Sequence, residues 1–89
     1  MVSTNVMVKN PTGLHLRPAG VLCEEALKFK SKISFKYLHN IANAKSVLSV
    51  LGACVKPASE IELICEGEDE EIALATIKNL IESGLGEDI

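Results

Sequence analysis

The hydrophobic residues of this chain change period along its length, and that switching restricts the folds open to it. Thr4, Val6 and Val8 alternate with Asn5, Met7 and Lys9, the two-residue period of a strand with one buried face. From about Leu16 to Lys30 the spacing becomes helical, with Ala19, Leu22, Cys23, Ala26 and Leu27 on one stripe. Alternation returns at Ile33, Phe35 and Tyr37, set against Ser34 and Lys36 in a segment dense in β-formers. Leu38-His39-Asn40 reads as a hairpin turn into a short third strand around Ile41–Asn43, with His39 an exposed turn residue.

Ser46 then stands at the N-cap of a short helix carrying Val47, Leu48, Val50 and Leu51, with Gly52 and Pro57 bracketing its end. Glu60 to Glu66 alternates again, Ile61, Leu63 and Cys65 facing one way. Glu68-Asp69-Glu70-Glu71 opens a last helix, where acidic side chains favour the positive end of the macrodipole. Ala73, Leu74, Ile77 and Ile81 form its apolar stripe, and Gly84 its stop. The order is β-α-β-β-α-β-α. Antiparallel strands with helices packed on one face make an open-faced sandwich of the α+β class.

Length adds that residues 1–89 form one domain, with no linker and no internal repeat. The net charge of −3 conceals a division. Residues 1–56 hold eight basic and two acidic side chains; residues 57–89 hold one basic and ten acidic. That balance excludes a strongly basic footprint for nucleic acid over the whole chain, and it predicts a basic working face with the acidic half placed away from it. Cys23, Cys54 and Cys65 are odd in number and form no C-x-x-C pair, so three reduced thiols are expected, with no metal and no cofactor. The first ten residues alternate polar and apolar and contain no continuous apolar core of a signal peptide, and no stretch is long and apolar enough to span a membrane. A cytoplasmic address is expected.

Chemistry concentrates at Gly13-Leu14-His15-Leu16-Arg17-Pro18-Ala19-Gly20, immediately ahead of the first helix. Free backbone N–H groups and the dipole make a helix N-terminus an anion site. Pro18 fits an early helical position, and its preference for the first one would make Arg17 the N-cap and start the helix one or two residues late. In either case His15 lies at the mouth of that helix, with the chain's only arginine two residues away. A neutral imidazole nitrogen can attack phosphorus in line, and a guanidinium fork can neutralise the phosphoryl oxygens. Spacing alone leaves open a plain surface histidine in a turn.

The G-L-H-L-R-P-A run, the N-A-K-S-V-L-S-V-L segment and the G-L-G-E stretch at Gly84–Glu87 closely resemble the HPr family. These are the histidine-containing phosphocarriers of the bacterial phosphoenolpyruvate-dependent sugar phosphotransferase system. The resemblance covers nearly the whole chain. It implies that His15 is phosphorylated through Nδ1, that Arg17 is the adjacent phosphate ligand, and that the sheet order is 1-4-2-3. It further implies Enzyme I as donor and sugar-specific IIA components as acceptors, the chain acting as a monomeric, stoichiometric carrier and not as an enzyme. Ser46 matches a regulatory site phosphorylated by an ATP-dependent HPr serine kinase/phosphorylase, its phosphoserine form binding a catabolite-control transcription factor. Val47, Leu48 and Leu51, with Gly20, match partner-docking positions; the second helix is richer in apolar residues than one buried face requires.

Departures from the family pattern are Gly52-Ala53-Cys54 in place of the usual leucine-glycine order, which unsettles the C-cap of the second helix, His39-Asn40 in place of a glycine-bearing hairpin, and Gly20, a helix-weakening residue. Two alternatives stand beside the carrier: a regulatory HPr variant acting mainly through phosphoserine, and a ferredoxin-like module for a small ligand or metal. The latter would want a C-x-x-C pair or a glycine-rich effector loop, and the chain has neither.

Overall fold

The computed structural model describes residues 1–87; the single-domain expectation reaches two residues further. Strands β1 (Val2–Val8), β2 (Lys32–Tyr37), β3 (Asn40–Asn43) and β4 (Ser59–Glu66) form one antiparallel sheet in the order β1-β4-β2-β3. Helices α1 (Leu16–Ala26), α2 (Val47–Gly52) and α3 (Glu70–Glu82) complete the expected order. The fold is the open-faced α+β sandwich. No helix among the described residues is long and apolar enough to cross a membrane.

Register explains why one face is dry. Val6 lies opposite Ile61, Leu63 sits between Thr4 and Phe35, and Cys65 sits between Val2 and Ile33. With side chains alternating across the pleat, this aligns the apolar set of every strand on the helix-covered side. Leu22 of α1, Val50 of α2, and Ile77 and Ile81 of α3 close over it, all fully buried. Phe35 is the only buried aromatic; Phe29 and Tyr37 are half-buried. Burial pushes the Cys23 thiol up, and burial with the nearby charges of Glu70 and Asp69 pushes Cys65 up to about 11. Both are small core hydrophobes with little thiolate character.

The structure corrects several boundaries. The first helix stops at Ala26, four residues before the expected Lys30, and Leu27 is 64% exposed instead of sharing the buried stripe. The hairpin is a two-residue loop, Leu38-His39, because Tyr37 already pairs with Asn40. Leu38 accepts φ of 57° there. At the end of α2 the left-handed position falls on Cys54 (φ 55°), two residues after Gly52, so the glycine lies inside the helix where its freedom is unused. The end of α3 follows expectation: Gly84 (φ 99°) lets its own N–H reach Ile81 O at 3.1 Å and Leu85 N–H reach Leu80 O at 3.2 Å, a Schellman closure.

The predicted separation of charge is also corrected. β4 runs through the middle of the sheet, so its outward glutamates lie among the lysines of β2. Lys36 pairs across the strands with Glu62, and Lys32 with Glu66. Lys28 meets Glu25 at 3.0 Å and Lys30 meets Glu68 at 3.4 Å. Lys30, Lys32 and Lys36 of the basic half thus meet or face glutamates far away in sequence, so this part of it is interleaved with acidic side chains by topology.

Candidate functional site

His15 is the N-cap of α1, in extended backbone (φ −80°, ψ −173°), with its side chain exposed and making no capping hydrogen bond. Its carbonyl accepts the first helical bond, from Ala19 N–H at 2.8 Å. The helix therefore starts at Leu16, earlier than proline logic predicts. Pro18 occupies the third helical position, where a missing N–H costs nothing because the first four donors have no intrahelical acceptor. The N–H groups of Leu16 and Arg17 have no partner among the described residues. An exposed imidazole, two free amides and an exposed guanidinium thus share one helix terminus, the positive end of its dipole.

The approach to His15 is fixed by backbone geometry. Gly13 adopts φ +66°, and a Cβ there would strike the Val55 carbonyl oxygen and come within 3.0 Å of Lys56 C and Pro57 N. Only glycine lets the loop lie so close to the segment after α2. Leu14 N–H then bonds Val55 O at 3.1 Å. This contact shapes a shallow cavity of about 350 Å³ lined by Leu14, His15, Leu51, Cys54, Val55 and Lys56 among others. It brings together His15 and Leu51, which are remote in sequence.

Of the remaining predicted positions only Leu51 lines this opening. Leu48 is 82% exposed, Val47 and Leu51 are half-buried, and Gly20 is half-buried in α1. Ser46 caps α2 as expected, its hydroxyl accepting Ser49 N–H at 3.2 Å. It stands at the opposite end of α2 from Leu51, about 8 Å along the axis at the usual helical rise. Lys45 beside it is engaged, its Nζ donating to Phe29 O at 2.7 Å.

Sequence reasoning missed two features. Leu16, which the apolar stripe does not include, is 69% exposed directly after His15. Glu87 accepts hydrogen bonds from Asn10 Nδ2 at 2.9 Å and Thr12 Oγ1 at 2.7 Å. Those two bonds, aided by the charge of Arg17, hold its carboxyl below the usual glutamate range. Only the turn residues Asn10 and Thr12 hinted at hydrogen bonding, and nothing in the sequence pointed to so distant an acceptor.

An open-faced sandwich with an exposed N-cap histidine and its one arginine at the same helix terminus has the architecture of the phosphocarrier class. The family model described as the PTS HPr component phosphorylation site matches residues 2–83. The chain belongs to the HPr family of the phosphotransferase system. It is 38% identical over 88 residues to the phosphocarrier protein HPr of Treponema pallidum, covering 99% of this chain and 100% of that one. It is also 38% identical over 82 residues to the HPr-like protein Crh of Halalkalibacterium halodurans, covering 92% of this chain and 98% of the other. Among solved structures, HPr from Thermoanaerobacter tengcongensis superposes with a TM-score of 0.94 at 37% identity, covering the whole of both chains.

Proposed function

We propose that residues 1–89 are a single carrier domain that takes a phosphoryl group from phospho-Enzyme I on Nδ1 of His15 and passes it to sugar-specific IIA components. The observation carrying this reading is the exposed, uncapped imidazole at the open N-terminus of α1. The Nδ1 lone pair forms the N–P bond as the donor's bond to phosphorus breaks. The phosphoryl oxygens then find the Leu16 and Arg17 N–H groups and the Arg17 guanidinium, donors suited to a dianion. The reverse exchange to an acceptor uses the same groups, so the chain is returned unchanged and acts as a stoichiometric intermediate. Exposed Leu48, together with Val47, Leu51 and Gly20, supplies the surface on which both partners dock in turn. One copy of the chain suffices, acting in the cytoplasm and touching neither membrane nor nucleic acid.

Ser46 adds regulation in this reading. Its hydroxyl is half-buried at the N-terminus of α2 on the docking side. A phosphate placed there by a serine kinase adds charge beside Leu48 without filling the His15 cavity, weakening one set of partners and recruiting a catabolite-control transcription factor. A second reading, a regulatory variant working mainly through phosphoserine, draws on the likeness to Crh. His15 and Arg17 stand against it, since such a variant has no use for an acceptor histidine.

The relay is tested by adding the chain to phosphoenolpyruvate, Enzyme I, a IIA component and its sugar permease. Sugar phosphorylation that depends on the chain supports the carrier. None, with partners active alongside a known HPr, removes it. ATP with the serine kinase should add an acid-stable phosphate that Ser46→Ala abolishes; failure leaves Ser46 as a helix cap alone.

A further inference from the structure

The N-terminal half of the site is held in place from the far end of the described chain. His15 follows the loop Asn10–Leu14, and α1 itself offers its imidazole no hydrogen bond. One anchor of the loop is the Leu14 N–H bond to Val55 O. The other is Glu87, whose Oε1 takes both Asn10 Nδ2 and Thr12 Oγ1 across separations of 77 and 75 residues. Asn10 is 0% exposed, and its amide nitrogen also donates to Gly13 O. Rotating that amide by half a turn would set its oxygen against two acceptors, so its orientation is fixed by them. Glu87 is kept within reach by the closure after α3, with Leu85 fully buried and Glu87 N–H bonded to Gly84 O at 3.0 Å.

We propose that Glu87, acting through Asn10 and Thr12, is a positioning residue that holds the loop on which His15 is presented for phosphoryl acceptance. The role rests on the reading of His15 as acceptor. It does not depend on contact between Glu87 and the phosphoryl group. The carboxylate acts as a hydrogen-bond acceptor: removing it leaves a buried Asn10 donor unpaired and Thr12 free to turn, which loosens the loop. Small displacements of a reacting group carry large rate penalties.

The test compares wild type, Glu87→Ala and Glu87→Gln, the last keeping an acceptor oxygen without the charge. Two readouts are taken: amide hydrogen exchange at Gly13 and Leu14, and the kinetics of phosphoryl gain from phosphoenolpyruvate through Enzyme I. Glu87→Ala is expected to exchange faster at those two amides while the strands stay protected. Its maximal rate should fall by about tenfold, with little change in the concentration needed for half-saturation, since the docking side chains are intact. Glu87→Gln should restore both towards wild type. Wild-type exchange and rate in Glu87→Ala overturn the inference, and so does equal impairment in both variants. Should wild type itself gain no phosphate, the carrier reading fails and the exchange data alone decide whether Glu87 holds the loop.

Discussion

Asp69 and Ser31, 38 residues apart in sequence, are joined through both the backbone and the side chain of the serine. One carboxylate oxygen of Asp69 accepts Ser31 N–H at 2.9 Å and the Ser31 hydroxyl, while the other accepts Lys30 N–H at 2.9 Å. Gly67 permits the approach, since a Cβ there would lie 2.6 Å from Ser31 Cα. Asp69 is the N-cap of α3 but makes no capping bond to its own helix; it ties the turn after α1 to the turn after β4.

These bonds make stability acid-sensitive in a defined window. The Ser31 hydroxyl, then the Lys30 N–H, bring the Asp69 carboxyl down from 3.8 to about 2. A depressed native value stabilises the fold fully above the unfolded value and loses that contribution as pH falls through the native one. Thermal stability measured from pH 5 to pH 2 should therefore drop between about 4 and 2. Asp69→Asn should lower it at neutral pH and flatten that stretch of the curve. An unchanged slope in Asp69→Asn would place the acid sensitivity elsewhere, with Glu70 and Glu87 next in line because their values are also lowered.

Gly20 weakens α1 without a steric reason. A Cβ there would meet nothing within 4 Å. Gly20→Ala should raise stability by about 0.5–1 kcal/mol, read as a higher urea midpoint at constant m-value.

The end of α2 offers a second stabilising change. Cys54 is held at φ 55° with its thiol exposed. Cys54→Gly should gain about 1 kcal/mol by relieving the left-handed conformation. No gain in the same urea titration would mean that the thiol's packing offsets the strain.

Ser46 has a structural role separable from regulation. Removing its hydroxyl leaves Ser49 N–H without its cap, so Ser46→Ala should cost about 1 kcal/mol. Phosphoryl gain at His15 should survive that substitution, because Leu51, not Ser46, lines the cavity beside the imidazole.

How much of this could be read in advance follows the range of the interactions. All seven elements were legible, because period-two and helical spacing are local properties and the core is built directly from them. The placement of His15 and Arg17 at a helix terminus was legible because adjacent residues define it. The Asp69–Ser31 and Glu87–Asn10 contacts were not, since both pair ordinary polar residues that only the finished topology brings together. The mixing of charge on the sheet was hidden for the same reason: β4 inserts between β1 and β2, carrying its glutamates to the lysines of β2. Cys54 at a left-handed position defeated turn chemistry, which expects glycine there.

The proposed chemistry places the phosphoryl group on His15. Intact mass is the direct measurement, taken after incubation with phosphoenolpyruvate and Enzyme I, before and after brief acid treatment. The expected result is a gain of one phosphate that acid removes and that is absent in His15→Ala. No gain with an active Enzyme I, or an equal gain in His15→Ala, would contradict it.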